Sequence, residues 1–261
     1  MANNIGLSVD IGVSFGIAGM VKAVRVGSVT MGRIDLRQHE AKTLTGPGGH
    51  TILKHVGRTD DQLRVRLKVE SKRDAVSSFT NLRAAEWAIS EVMRANSAQI
   101  EAWAKASSPN KLFIGKDVGR HVGRVLTRET GRITDARKVT AIIKRETYNG
   151  MPYYILTAFI EQYFMIYDTR YQNLAQIIIG YFNEDFDLFG QTVEEIVACY
   201  KRDFPLSMQK SAIAEIDKFK NDNSGNFDFA LRKEFGNQFN PKLWGYTVDS
   251  FLDELKRLLQ E

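Results

Sequence analysis

Two residues eleven positions apart carry the first chemical suggestion in this chain. His55 follows a Gly46-Pro47-Gly48-Gly49 break, and Arg66 lies in the next helical pattern. A histidine transfers protons near neutral pH, and an arginine fork holds a phosphate whose charge grows in a transition state. Thr157 adds a third group. It interrupts the apolar run Pro152–Ile160, where a hydroxyl must find a partner or point into a cleft. There it can bond a phosphate oxygen, and Phe159, two residues on, can stack on a base. Each has a plainer reading, as a structural surface histidine or a satisfied strand threonine. His50 stands five residues before His55, about 140° round a helix, so the two do not share a metal. It reads as a capping or orienting residue of the turn, or as a second proton-transfer group. His121, between Arg120 and Arg124, reads as a solvated turn position or a phosphate contact. With no third ligand in sight, neither a metal nor a cofactor is expected. Gly115-Lys116-Asp117-Val118-Gly119 lacks the Gly-Lys-Ser/Thr of a P-loop, so nucleotide binding has no support.

The charge that surrounds these residues is divided. Residues 1–160 carry 25 Lys/Arg against 14 Asp/Glu, a net of +11; residues 161–261 carry 11 against 17, a net of −6. Segment charges scatter by chance, yet opposite fields on one chain suggest two bodies that attract each other. A basic body also suits a polyanionic partner such as nucleic acid. In the acidic part Glu184, Asp185, Asp187, Glu194 and Glu195 fall within twelve residues. They lack the spacing of an EF-hand loop, which leaves a solvated face or a docking surface.

The elements that must position these groups can be read from pattern. At 261 residues the chain is comfortable for two domains. Residues 1–45 are rich in Gly, Val, Ile and Ser and read as a leader, or the tail of a larger parent, packed loosely on the next segment. A short helix is predicted over His50–Val56, and Thr59-Asp60-Asp61-Gln62 is a capping box that opens another. Thr80–Ala106 is the longest helical pattern, with Leu82, Ala85, Ile89, Val92 and Met93 on one face and Trp87 off it. Leu112–Ile114, Arg124–Arg128, Val139–Lys144 and Tyr153–Ile160 then read as strands. Strict alternation in the last puts Tyr153, Ile155, Thr157 and Phe159 on one face. Helices followed by an antiparallel sheet make an α+β domain. Beyond Met165 every element reads as helix, most clearly Leu174–Phe182, Val193–Tyr200, Met208–Lys220 and Val248–Leu259. The junction Glu161–Phe164 is apolar and aromatic, not a flexible linker, and Met165 could start a second reading frame. Cys199 is the sole cysteine, so no internal disulfide forms and a reducing compartment is the natural setting. Ile11–Val21 is too short to span a bilayer, and Asp10 ahead of it argues against a signal peptide.

The assembled motifs resemble a known arrangement. Gly48-Gly-His-Thr-Ile-Leu-Lys-His-Val-Gly57, Arg66-Leu67, Ser77-Ser-Phe-Thr80 opening an Ala-rich helix, and Leu156-Thr-Ala-Phe159 look like the ribonuclease A-like toxins at the C-terminus of CdiA proteins. These are effectors of bacterial contact-dependent growth inhibition. Leu174–Glu195, with the closing stretch Phe251–Leu259, is similar to their small helical immunity proteins. Asn3-Asn4 resembles the motif ahead of many such toxin regions. The resemblance implies a leader over 1–45, a ribonuclease A-like toxin domain over 46–160 and an all-α immunity domain over 165–261. It places His55, Arg66 and Thr157 in the active site; Phe159 stands where the family often has tyrosine and cannot donate a hydrogen bond.

The chemistry so implied is metal-independent. A base takes the ribose 2′-hydroxyl proton, the oxygen attacks the adjacent phosphorus, and a 2′,3′-cyclic phosphate results; RNA is therefore preferred to DNA. His50 is the leading choice for a second acid–base group. The partners implied are RNA and the immunity domain, fused or as a second chain joined at Met165, with Glu184, Asp185, Asp187, Glu194 and Glu195 at their interface. The implied setting is the bacterial cytosol, reached by the toxin after delivery on a large cell-surface protein, with no membrane anchor. The rival reading is a non-catalytic basic nucleic-acid-binding module with an acidic regulatory domain, needing only its Lys/Arg. A metal-dependent nuclease has less support, since the first half has no suitable acidic cluster.

Overall fold

The computed structural model describes residues 34–43, 46–162 and 169–261. Asn3-Asn4, most of the predicted leader and Met165 lie outside them.

Helix α1 (Thr51–His55) is only five residues long and depends on its surroundings. Its free N–H groups are taken by the Glu40 carboxylate, which accepts from Ile52 at 3.0 Å and Leu53 at 2.8 Å. The His50 N–H donates to the Leu156 carbonyl at 2.9 Å, fastening the helix start to the last strand. That approach requires glycine at position 49, where a Cβ would lie 2.2 Å from the Ile155 oxygen. Residues 34–43 are therefore no loose leader: Leu36 and His39 are buried and Glu40 caps α1. Helix α2 (Asp60–Val69) opens with the capping box formed by Thr59 and Gln62, and Leu63 and Leu67 pack on Val76 and Leu126.

The single long helix predicted over Thr80–Ala106 is not what forms. Strand β1 (Ala75–Phe79) comes first, buried throughout, and takes in the Ser77-Ser-Phe stretch read as a helix opening. Asn81 then caps α3 (Leu82–Ala95), which buries Ala85, Ala88, Ile89, Val92 and Met93. At Asn96 the helix breaks, because the side-chain amide turns back to the Val92 and Gly115 carbonyls; α4 (Ser97–Lys105) comes next.

The remaining strands are β2 (Lys111–Asp117), β3 (Gly123–Thr127), β4 (Ile133–Ala136), β5 (Lys138–Lys144) and β6 (Tyr154–Glu161). They make two antiparallel three-stranded sheets, β1-β3-β4 and β2-β5-β6. β4 had no sequence signal, being four residues with two exposed and polar. In β6 the alternation slips. Ile142 pairs with Thr157 but Ile143 pairs with Ile155, so Leu156 is an extra residue. The bulge flips the parity: Tyr154, Leu156 and Phe159 join one core, while Tyr153, Ile155, Ala158 and Ile160 join the other. Thr157 and Phe159 thus do not share a face with Tyr153 and Ile155, as strict alternation had it.

Among the described residues beyond 169 all regular structure is helical: α5 (Gln172–Tyr181), α6 (Val193–Asp203), α7 (Leu206–Asp222), α8 (Phe227–Phe235) and α9 (Val248–Gln260), with short 3-10 turns. Helix α3 covers one face of β2-β5-β6. On the other face, Phe113, Ile142, Tyr154, Leu156 and Phe159 run into one continuous core with Leu174, Ile177, Ile178 and Phe182. The sheet is therefore shared by the basic and acidic parts, which makes the fold α+β followed by all-α.

Candidate active site

His55 ends α1 and is fully buried, contrary to the surface position that a basic helix suggested. Its Nε2 lies 2.7 Å from Asp185 Oδ2, and the same oxygen accepts a hydrogen bond from Thr157 Oγ1. The second oxygen, Oδ1, is 3.3 Å from Arg66 Nη2 and 3.6 Å from Lys54 Nζ. One carboxylate therefore sits in a cradle of four side chains from α1, α2 and β6. Beside it the Glu184 carboxylate accepts the Ser77 N–H at 2.8 Å, the Ser77 hydroxyl, and Arg66 Nη1 at 3.4 Å. Glu184 Oε2 is 3.7 Å from His55 Nδ1, which makes no hydrogen bond. Asp187 completes the row, with Lys54 Nζ at 2.8 Å and Arg73 Nη2 at 2.9 Å.

Asn183 delivers these carboxylates. Its amide nitrogen donates to the Ile179 and Gly180 carbonyls at the end of α5, and its Oδ1 accepts from the Asp185 N–H at 2.8 Å. The capped helix end thus projects Glu184 and Asp185 into the basic part as one turn. Burial alone would raise the Asp185 carboxyl, but His55, Lys54 and Arg66 hold it well below the usual carboxylate range. Burial, with Asp185 adjacent, raises Glu184 despite His55 and Arg66. Burial also opposes the charge on Asp187, yet Lys54 and Arg73 keep it low. Arg66 loses solvent but is held more firmly protonated by Glu184, Asp185 and Glu70.

The structure also places the other anticipated residues. Phe159 is buried with its ring 6.1 Å from that of His55 and tilted 44°. His50 occupies the cap position of α1 but its side chain makes no capping bond; burial and Lys54 lower its pKa, against the pull of Asp185 and Asp187. Glu194 and Glu195 do not reach the basic part. Both are exposed in the first turn of α6, where Glu195 folds back to accept the Gln191 N–H and its own N–H is capped by Thr192. His121 is exposed in the turn between β2 and β3. His39, buried and accepting from the Ile155 N–H, is lowered by burial to about 4. Lys54, Arg73 and Ser77 carry no expected role in the sequence, although Lys54 and Ser77 lie within its motifs; Ser77 precedes the helix expected from Thr80 and falls in β1. A hollow of about 330 Å³ lined by Leu53, Lys54, Arg58, Gln62, Leu63 and Arg66 stays open beside the cradle. No group of three or more metal-binding side chains occurs among the described residues, and no helix there is long and apolar enough to cross a membrane.

Comparison with known families decides between the readings. Residues 49–159 match the model of the bacterial CdiA-CT RNAse A domain, and residues 170–259 match that of the CdiI immunity protein. The chain joins members of these two families. Its first part is a ribonuclease A-type CdiA-CT toxin domain, and its second part is the CdiI immunity protein that neutralises it. A crystal structure of a CdiA-CT/CdiI complex from Y. kristensenii is 27% identical, with 43% of this chain and 98% of that one covered and a TM-score of 0.40. No curated protein matches the chain.

Proposed function

We propose that the CdiA-CT part cleaves RNA without a metal, with His55, Arg66 and Thr157 at the scissile phosphate, and that CdiI silences it by putting Asp185 where that phosphate binds. The observation that carries this reading is the Asp185 cradle: an imidazole, a hydroxyl, a guanidinium and an ammonium converge on one carboxylate inside the toxin. That donor set suits the non-bridging oxygens of a phosphodiester.

In the cleavage step, His55 accepts the 2′-hydroxyl proton as the 2′-oxygen bonds to phosphorus. The bond to the 5′-oxygen breaks, and that oxygen takes up a proton as it leaves. The products are a 2′,3′-cyclic phosphate and a 5′-hydroxyl. Arg66 and Lys54 hold the charge that builds on phosphorus, and Thr157 orients one phosphate oxygen. His50, the other histidine in the field of Asp185 and Asp187, is the candidate for supplying a proton. Requirement of the 2′-hydroxyl makes the substrate RNA. Phe159 offers a ring for stacking rather than a polar group. The working domains are 46–160 and 165–261, with residues 34–43 serving the first.

The test uses the full chain with a protease site inserted between residues 162 and 169, cut after folding. The toxin part released from it should cleave single-stranded RNA in EDTA and leave 2′,3′-cyclic ends or their 3′-phosphate product. Loss of cleavage in EDTA, or full activity in His55→Ala, overturns the proposal.

A further inference from the structure

An immunity protein has two tasks, to stop the chemistry and to recognise its own toxin. Asp185 addresses His55, Arg66 and Thr157, groups that the proposed cleavage would require of any toxin working the same way, and Glu184 beside it takes Arg66 and Ser77. Contacts to such groups stop chemistry but tell one toxin from another poorly, because specificity is a difference between partners.

A second buried polar anchor lies elsewhere. Lys111 opens β2 on the face that carries Phe113, and β5 stands between it and β6, so it is two strand spacings, roughly 10 Å, from the strand that bears Thr157. Its ammonium is buried and ion-paired with Asp203 at the end of α6. The same Asp203 oxygen accepts the Tyr181 hydroxyl at 2.6 Å and the Cys199 thiol at 3.7 Å. The rings of Tyr181 and Phe189 flank the ammonium at 5.4 and 5.3 Å, and the Asn110 N–H donates to the Asp203 carbonyl at 3.1 Å. We propose that this Lys111–Asp203 pair is the lock that decides which immunity protein this toxin accepts, independently of the cover over the candidate active site.

The pair suits that task because it is all or nothing. In water both ions are hydrated in the separated partners; in the complex Lys111 is left with Asp203, the Cys199 sulfur at 3.6 Å and the aromatic cup, and Asp203 with Lys111, Tyr181 and Cys199. A partner with a neutral residue at either position strands a buried charge, and a like charge repels. The other charged contacts outside the cradle are more open to solvent on at least one side: Asp187, which pairs with Lys54 and Arg73, is 31% exposed. Arg232–Glu129 lies at the surface, with side chains 33% and 47% exposed, and Lys72, only partly buried, reaches the Gln191 carbonyl and the Trp244 ring. Pairs of that kind contribute little to binding. The lock thus prefers immunity proteins with an acid ringed by aromatics opposite the start of β2, and rejects them for toxins lacking an amine there.

The test again uses the cut complex and reads dissociation directly, by immobilising one part and following loss of the other. Lys111→Met and Asp203→Asn should each speed dissociation or weaken affinity by about 10²–10³-fold, and the double variant should recover at least tenfold over either single one. This readout needs no catalysis, so it stands whether or not His55 is the base. RNA cleavage by the cut Lys111→Met complex should rise in step with its dissociation, as it should for Asp185→Asn. Single variants within threefold of the parent, or a double variant no better than the worse single one, overturn the proposal. So does a Lys111→Met complex that dissociates without releasing activity while Asp185→Asn releases it, since Lys111 would then belong to the cleavage machinery.

Discussion

Replacing Asp185 by asparagine changes the occupant of the cradle by one atom. The side chain keeps its shape but loses its charge and one of its two acceptors. At present Oδ2 serves His55 and Thr157 while Oδ1 faces Arg66 and Lys54. An amide presents its oxygen to only one of these pairs, and its NH₂ offers the other pair no acceptor. Asp185 is 0% exposed, so no water enters to repair the mismatch. Breaking one side of a buried charged network costs about 3–5 kcal/mol, much of it from the charge left behind. In separated CdiI the residue is free to be hydrated and the change costs nothing comparable. Affinity in the cut complex should therefore fall by about 10²–10³-fold. Competition binding between parent and variant complexes measures this, and RNA cleavage reports the freed toxin. In the uncut chain a tether supplies an effective concentration on the order of millimolar, which masks most of the loss. Glu194→Gln and Glu195→Gln, at exposed positions away from the toxin, serve as controls that should leave dissociation unchanged. A cut Asp185→Asn complex with affinity within threefold of the parent would show that the cradle contributes shape but no net electrostatic binding, and would refute the reasoning.

Three further outcomes are expected. In the released toxin, His55→Ala should lower the cleavage rate by about 10²–10⁴, the contribution of one acid–base group. Thr157→Val, which keeps the volume and removes the hydroxyl, should lower cleavage while the thermal transition of the uncut chain stays within a few degrees. The third is a pH dependence of stability: burial pushes the Glu161 carboxyl from its ordinary 4.5 up to about 7, beside Asn237 and Gln238 of CdiI and with one oxygen unpartnered. Its contribution is then full below pH 4.5 and is lost as pH rises through 7, by about 3 kcal/mol. Glu161→Gln should stabilise the chain at pH 8 and not at pH 4, and an equal effect at both, read by denaturant unfolding, would refute that origin.

Local chemistry carries most of what was legible in the sequence. The Thr59 capping box opens α2 as written, and the β-rich runs from Leu112 to Ile160 are strands, because side chains a few residues apart decide both. What escaped depends on partners distant in the chain. Ser77 and Ser78 read as the lead-in to a helix from Thr80, yet β1 is a strand because β3 pairs with it along its whole length. Asn96 looked like one more polar helix position until Gly115, nineteen residues on, offered its amide a carbonyl. The bulge at Leu156 leaves no mark in composition, and it alone moves Thr157 and Phe159 to the face that CdiI covers. His55, Arg66 and Thr157 were visible as residue types, and the structure brings them round one point. Ser77 and Lys54 stood in the motifs without a role, since a backbone N–H and one lysine among many carry no signal of the contact they make.

The acidic cluster shows why density along the chain is a poor guide to a docking surface. Glu184 to Glu195 looked like one negative patch, but only its first three carboxylates meet the toxin. The division falls at Asn183 and Thr192. Asn183 closes α5 and turns Glu184 and Asp185 inward, whereas Thr192 opens α6 and keeps Glu194 and Glu195 at a helix N-terminus, where their charge offsets the helix dipole in solvent. Net charge acts at a distance and governs how fast the +11 and −6 bodies meet, an effect that salt screens. Holding is a different matter, settled over less than 4 Å by burial and by how many donors converge on each oxygen. Asp185 has four such groups and Glu194 reaches none of the toxin. Two residues of equal formal charge, nine positions apart, therefore serve different ends: one fills the candidate site, and the other adds only to the field that guides the partners together.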